Sequence, residues 1–318
     1  MDSTEIKQTQ CFEAIDFSRL MDLRVDFAFK LLFTSGESMY LVSLLNAIFA
    51  NKKIWRKINS ITILNPALER RSKDDKLSTL DIRAQLDDGT TILIEMHLYD
   101  LFDLKYKTIR SWARAYGEEL QSGEKYSAQP PVVCVAFVNG QVVDSINPKI
   151  HLCFKIMDIN DHTVLTDALE LHYIDMKAYV GAVNRTRAAG DGKVLETKLA
   201  KWLAVITEKD VVDKAVIRDS CVEQEEIGMA VSALARLSED KIARQEYLKR
   251  QDEIMLYNMK LGDLKHSLEQ EKLKRAQERI EFEQEKKKAE QEKRRAEVAE
   301  AEIVQLREKL AQLETQVK

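Results

Sequence analysis

Apolar residues recur at three-to-four spacing over 38–50, where Leu41, Leu44, Leu45, Ile48 and Phe49 share one side, and this predicts a helix. Residues 24–34 carry a similar period. The pattern then changes. Short apolar-rich runs at 58–64, 80–86 and 92–98 predict strands, and a helical pattern returns over 105–120. Pro130 and Pro131 lead into Val132–Val138, a nearly continuous apolar run that suits a strand buried on both faces. Two further strands are expected at 151–157 and 171–176, then a loop at 181–193 and helix over 194–240.

The last part of the chain is patterned differently. No Pro occurs after Pro148 and no Gly after Gly262, so nothing there breaks a helix. Ile303, Leu306, Leu310, Leu313 and Val317 are spaced as the a and d positions of a coiled coil, with Leu261, Leu264 and Leu268 a shorter seam. Between the seams the helix is charged around most of its circumference, with Glu271→Arg275 and Glu290→Arg294 in the supportive i,i+4 order. Two readings follow: a solvated spacer helix, or a parallel homodimer through the C-terminal helix.

Composition narrows the class. The chain has 318 residues, 32% of them charged, a net charge of -4, and only 10 Gly and 4 Pro. A bulk charge of this kind does not announce a nucleic-acid binder, so any such contact must be local. Cys11, Cys134, Cys153 and Cys221 lack CxxC spacing, and His151, His162, His172 and His266 lack ligand spacing, so no zinc site is expected. No GxGxxG, Walker or GxSxG motif is present. No apolar run reaches the roughly 18 residues of a membrane-spanning helix, and the first residues lack a basic start and an apolar signal core. A cytoplasmic protein without a membrane partner is expected.

The chemistry concentrates in residues 79–100. Asp87-Asp88-Gly89 suits a three-residue hairpin loop with Gly in the left-handed position. That loop sets a register in which Asp81 faces Glu95. Ile82, Ala84, Leu86, Ile92, Ile94 and Met96 then form an apolar face, and Asp81, Arg83, Gln85, Glu95 and His97 the other. Like charges directly opposite one another destabilise a sheet, so the pair needs compensation. A divalent cation with hard oxygen ligands would supply it, and so would Arg83 or solvent.

These residues resemble the recombination-promoting nuclease/transposase family of the PD-(D/E)XK superfamily. Asp26, Phe29, Lys30, Leu32 and Phe33 match its first motif. Asp81, Ile82, Ala84, Asp88, Gly89, Ile94, Glu95, Met96 and His97 match its second, with Leu80-Asp81 at the PD position. Trp112, Ala113, Arg114, Tyr116, Leu120, Gly123, Tyr126, Pro131 and Val132 match its third. The likeness covers about residues 22–176.

The resemblance implies an α/β fold with an αβββαβ mixed-sheet core and a helical tail. Together with the charge and periodicity along the chain, it gives an N-terminal extension at 1–21, a nuclease-like domain at 22–180, a helical region at 181–240 and a charged helix or coiled coil at 241–318. It implies a metal-dependent DNA endonuclease of little sequence preference, linked to recombination or mobile elements. Asp81 and Glu95 become ligands of Mg2+, with Mn2+ the other candidate. Asp26 becomes either an auxiliary acid or an N-terminal helix acid favoured by the macrodipole, and Lys30 either a phosphate contact or a solvated lysine. Lys107, Arg110 and Arg114, three and four apart after the hairpin, form a basic stripe for DNA. His97 departs from the family's usual Gln and the superfamily's Lys. With an ordinary imidazole value of about 6.5 it could position or deprotonate water. Equally, it could mark a fold kept as an inactive scaffold for protein–protein interaction through the coiled coil.

Overall fold

A computed structural model describes residues 15–34, 38–50, 57–64, 81–98, 103–118, 125–143, 149–189, 196–210 and 214–316. Leu80, Leu120, Gly123 and Cys11 lie outside these residues, as does Val317. By its internal contacts the chain divides into a body, Met1–Glu253, and a second unit, Ile254–Lys318.

In the body, α1 (Asp26–Thr34) and α2 (Met39–Phe49) precede strands β1 (Ile61–Leu64), β2 (Ile82–Leu86) and β3 (Thr91–His97). Then follow α3 (Leu104–Glu118), β4 (Val132–Val138), β5 (His151–Met157) and β6 (Val164–Asp175). The helices α4 (Met176–Ala189), α5 (Lys198–Ile206), α6 (Lys214–Glu223) and α7 (Glu225–Glu239) complete the body with the first turns of α8 (Lys241–Gln316). This contains the αβββαβ order. The six strands form one mixed sheet in the order β1-β2-β3-β4-β6-β5, with β3, β4 and β6 parallel and the remaining pairs antiparallel.

The hairpin follows from its loop. Gly89 has φ +85°, a conformation that a side chain disfavours. Leu86 N–H donates to Thr90 O (2.9 Å), Gly89 N–H to Leu86 O (3.0 Å), and Thr90 N–H to Asp88 Oδ1 (3.0 Å). The loop sets the pairing Ile82↔Ile94, Ala84↔Ile92 and Gln85↔Thr91, the register expected from the sequence. β2 alternates as expected, but β3 is buried on both faces except at His97. Its parallel neighbour β4 and the helix α3 cover the side that a two-stranded hairpin would leave wet.

Two helical layers close the core. On one face α3 packs Leu104 and Ala115 onto Leu93, Val132, Cys134, Ala136, Leu171 and Tyr173. On the other, Phe29 of α1 meets Phe137 of β4 with ring centroids 5.4 Å apart, and Phe33 meets Trp202 of α5 at 5.7 Å. Trp202 Nε1 donates to Ser43 Oγ of α2 (3.2 Å), so the indole is both packed and satisfied.

Three expectations change. The loop placed at 181–193 is helix through Ala189, because Asp175 at the end of β6 caps α4 by accepting from Ala178 N–H (2.9 Å). The strand placed at 171–176 begins seven residues earlier, at Val164, where it pairs with β5. The helical region 194–240 is three helices, the first capped by Thr197 accepting from Ala200 N–H (3.1 Å).

In the second unit α8 continues as a single helix with exposed Leu264, Leu268, Ile303 and Leu306. No single helix among the described residues is long and apolar enough to cross a membrane.

Substituting Gly89→Ala should destabilise the body by about 1 kcal/mol, read as a lower urea midpoint with unchanged slope. The nearest atom to an added Cβ, Pro130 Cβ, is 3.6 Å away, so backbone conformation rather than crowding sets the cost.

Candidate active site

β2 and β3 bring their acids to one place through the register, and α1, α3 and α8 close around them. Asp26, Lys30, Asp81, Glu95, His97, Lys107, Glu246, Lys249, Arg250 and Glu253 line a cleft of about 590 Å³. Six of the sequence candidates, Asp26, Lys30, Asp81, Glu95, His97 and Lys107, thus share one cleft.

Glu95 is the deepest of them, 5% exposed at the centre of the sheet. Ser111 Oγ of α3 donates to its Oε1 (3.2 Å). Its Oε2 lies 2.6 Å from His97 Nε2 and 3.2 Å from Lys107 Nζ. Burial alone would push this carboxyl up. The His97 hydrogen bond and the Lys107 charge outweigh it and hold Glu95 below the usual carboxylate range. Glu95 is therefore ionised, oriented from both oxygens and faced by an ammonium.

Asp81, just before β2, accepts Met96 N–H on Oδ2 at 2.5 Å. Burial pushes its carboxyl up to about 7, and the charges of Asp26 and Glu95 add to the rise. The Met96 hydrogen bond and Lys107 oppose this only in part. The two acids are thus unequal: Glu95 is compensated by protein groups and Asp81 only in part.

Asp26 sits in the first turn of α1, where a carboxylate is favoured by the helix dipole, and accepts Phe27 N–H at 2.8 Å. Arg250 of α8 grips it with Nε 2.9 and 3.0 Å from the two oxygens and Nη2 2.5 Å from Oδ2. Arg83 points elsewhere along the sheet, with Nη1 3.3 Å from Glu118 of α3.

The expected basic stripe divides. Lys107 and Arg110 are exposed, and Lys107 leans into the cleft. Arg114 is buried, 8% exposed, because it flanks the face of Leu104, Thr108, Ser111 and Ala115 that packs on the sheet. It is therefore not part of an exposed DNA-binding stripe.

Residues that the motif pattern did not single out are Ser111, Lys249 and Arg250. Ser111 lies on the buried face of α3 with Leu104, Thr108 and Ala115, a face whose polar members gave no apolar stripe to mark it. Arg250 had only the faint signal of Ala243, Tyr247 and Arg250 recurring on one side of a helix that otherwise reads as solvated. Tyr247 is 3% exposed, and its hydroxyl accepts Asp22 N–H (3.0 Å), which binds the start of α8 to the body.

The model of the family described as PD-(D/E)XK nuclease family transposase matches residues 23–263 of this chain. That span takes in α1, the whole sheet and the part of α8 that carries Arg250. No curated protein and no solved structure matches the chain.

The raised Asp81 value makes a stability prediction. A folded-state carboxyl that holds its proton more tightly than the unfolded chain favours folding at low pH. That contribution is lost as pH rises from about 4 to about 7. Asp81→Asn keeps an acceptor for Met96 N–H without the charge. At pH 8 it should therefore be more stable than the wild type by roughly 1–3 kcal/mol in metal-free urea unfolding, with the gap closing near pH 4. A gap that stays constant across this range would show that Asp81 carries no such shift.

Proposed function

The chain belongs to the PD-(D/E)XK nuclease family of transposases, and from that membership we propose that it is a metal-dependent DNA endonuclease acting in recombination or mobile-element biology. The observation that carries this reading is the meeting of Asp81 and Glu95 in one cleft, with Asp81 compensated only in part.

The donor set fits Mg2+, and Mn2+ after it. Both take hard carboxylate oxygens, and Asp81 is a buried carboxylate beside two further acids, Asp26 and Glu95. Asp81 and Glu95 would hold the ion, with Asp26 in reach of the same cleft once its pairing with Arg250 is exchanged. When bound, such an ion supplies a water of lowered pKa and charge stabilisation at the phosphate oxygens.

The chain's own groups do the rest. Ser111 fixes the orientation of Glu95. Lys107 stands beside Glu95 and offers its ammonium to a phosphate oxygen as negative charge develops there. That places a cation in the cleft although position 97 lacks the superfamily's Lys. His97 donates Nε2–H to the ionised Glu95, so Nδ1 is the nitrogen that would accept a proton from a water. Arg110 and Lys105 on the exposed side of α3 meet the backbone of a duplex without reading bases, as expected of a nuclease with little sequence preference. Lys30 adds positive charge at the cleft wall.

Plasmid nicking tests the reading. The full chain with Mg2+, then Mn2+, should nick supercoiled DNA, and both Asp81→Asn and Glu95→Gln should lower the rate by ~100-fold or more. Folded protein that cuts with neither metal, or equal cutting by the variants, would move the reading to a nuclease fold kept as an interaction scaffold.

The exposed seam on α8 supports a homodimer that sets two clefts on one duplex. Light scattering should give twice the chain mass at micromolar concentration and one chain mass after removal of the residues beyond 262. A single-chain mass for the intact protein at that concentration would rule the dimer out.

A further inference from the structure

The sheet face opposite Glu95 carries a second group of polar side chains. Glu95 pairs with Ala136 and Ala136 with Tyr173, so these three side chains share a face. Glu170 and His172 of β6 alternate to the other. Cys153 pairs directly with His172, and Lys155 with Glu170, which places a thiol, a carboxylate and an imidazole side by side. Sequence spacing gave no hint of this, because 17 and 19 residues separate Cys153 from its partners.

The geometry of the three donors is specific. His172 Nε2 is 3.0 Å from Glu170 Oε1, Cys153 Sγ is 3.3 Å from the same oxygen, and Sγ is 4.0 Å from Nε2. A circle through these atoms has a radius of about 2.0 Å, and zinc bonds to nitrogen and oxygen are about 2.0–2.2 Å and to sulfur about 2.3 Å. One ion therefore reaches all three from a point on or just off their plane, leaving a fourth position to solvent.

The surroundings are those of a held site. Glu170 is 2% and His172 0% exposed, so both donors are fixed by packing. The edge of Phe49 abuts the His172 ring at a centroid distance of 5.0 Å. His151 Nε2 lies 2.7 Å from His172 Nδ1; with an ion bound, His172 Nδ1–H would donate to it, the outer hydrogen bond that leaves Nε2 of His172 as the ligating nitrogen. Lys155 approaches the other carboxylate oxygen, Oε2, at 3.6 Å, so Oε1 stays directed at the cluster. Cys153 is exposed, which gives a cation a way in.

We propose that Cys153, Glu170 and His172 form a zinc site, with His151 orienting His172. Sulfur and imidazole donors select zinc over magnesium, so this site is distinct in chemistry as well as in place from the acid pair of the cleft. Its ion would tie the edge strand β5 to β6. Along β5 the register slips after Lys155, so the part of the strand held by hydrogen bonds alone is short.

The test uses the reduced, chelator-stripped full chain and cobalt(II) as the probe. One equivalent of cobalt should produce thiolate-to-cobalt charge-transfer absorption in the near ultraviolet. Zinc should abolish it, and a large excess of magnesium should not. The band should vanish in Cys153→Ser, which alters only an exposed side chain, and persist in Cys11→Ser and Asp81→Asn. His151→Ala should weaken zinc binding by roughly 10–100-fold, the usual effect of losing an orienting partner. Zinc should raise the melting temperature of the wild type and leave Cys153→Ser unmoved. No charge-transfer band at stoichiometric cobalt, or a band that survives Cys153→Ser, overturns the proposal.

Discussion

A carboxylate at the centre of a sheet, closed over on both faces, is expensive to ionise unless other groups meet its charge. Glu95 occupies such a place, and much of the body is arranged around it. β3 puts it there, α3 brings Ser111 and Lys107 to its two oxygens, and His97 from the same strand shares one of them. The compensation is less complete beyond Glu95. Asp81, fixed opposite by the hairpin register, receives one backbone N–H and two negative neighbours, and its carboxyl rises accordingly. A protein selected only for stability would place an amide or an apolar residue here. The acid retained here is met only in part, by Met96 N–H and the Lys107 charge.

The start of α8 belongs to the same arrangement. Tyr247 is held by the loop before α1, and Arg250 neutralises Asp26 from the far wall of the cleft. The body's contacts accordingly run to Glu253 rather than stopping where the charged helix begins at 241. The same helix carries two kinds of surface: one turn set built into the cleft, then a long stretch whose apolar residues lie exposed. Even spacing of charge along it hides this change. A single buried Tyr among charged neighbours is the local trace.

The opposite face of the sheet shows how pairing creates chemistry without a motif. β5 and β6 are antiparallel, so residues far apart in number become cross-strand neighbours. His151 and Cys153 are two apart and share a side of β5, as Glu170 and His172 do on β6. Neither doublet has a ligand pattern by itself. Only the register Cys153↔His172 makes them a cluster.

The sequence by itself determined the hairpin, its register and the facing of Asp81 and Glu95. All of these are local: a Gly able to take φ +85° closes the loop, and period-two alternation does the rest. It also determined β4, whose unbroken apolar run has no stable place except a buried one. The tertiary structure alone decided which cations meet which acids. The side of α3 that faces the sheet buries Arg114 and leaves Lys107 to reach Glu95, a matter of rotation about a helix axis that spacing of three and four cannot fix. It also decided that Arg250 holds Asp26, and that Cys153 meets Glu170 and His172. Such contacts span between 12 and 224 residues of chain, and they depend on how elements dock rather than on any period along one of them.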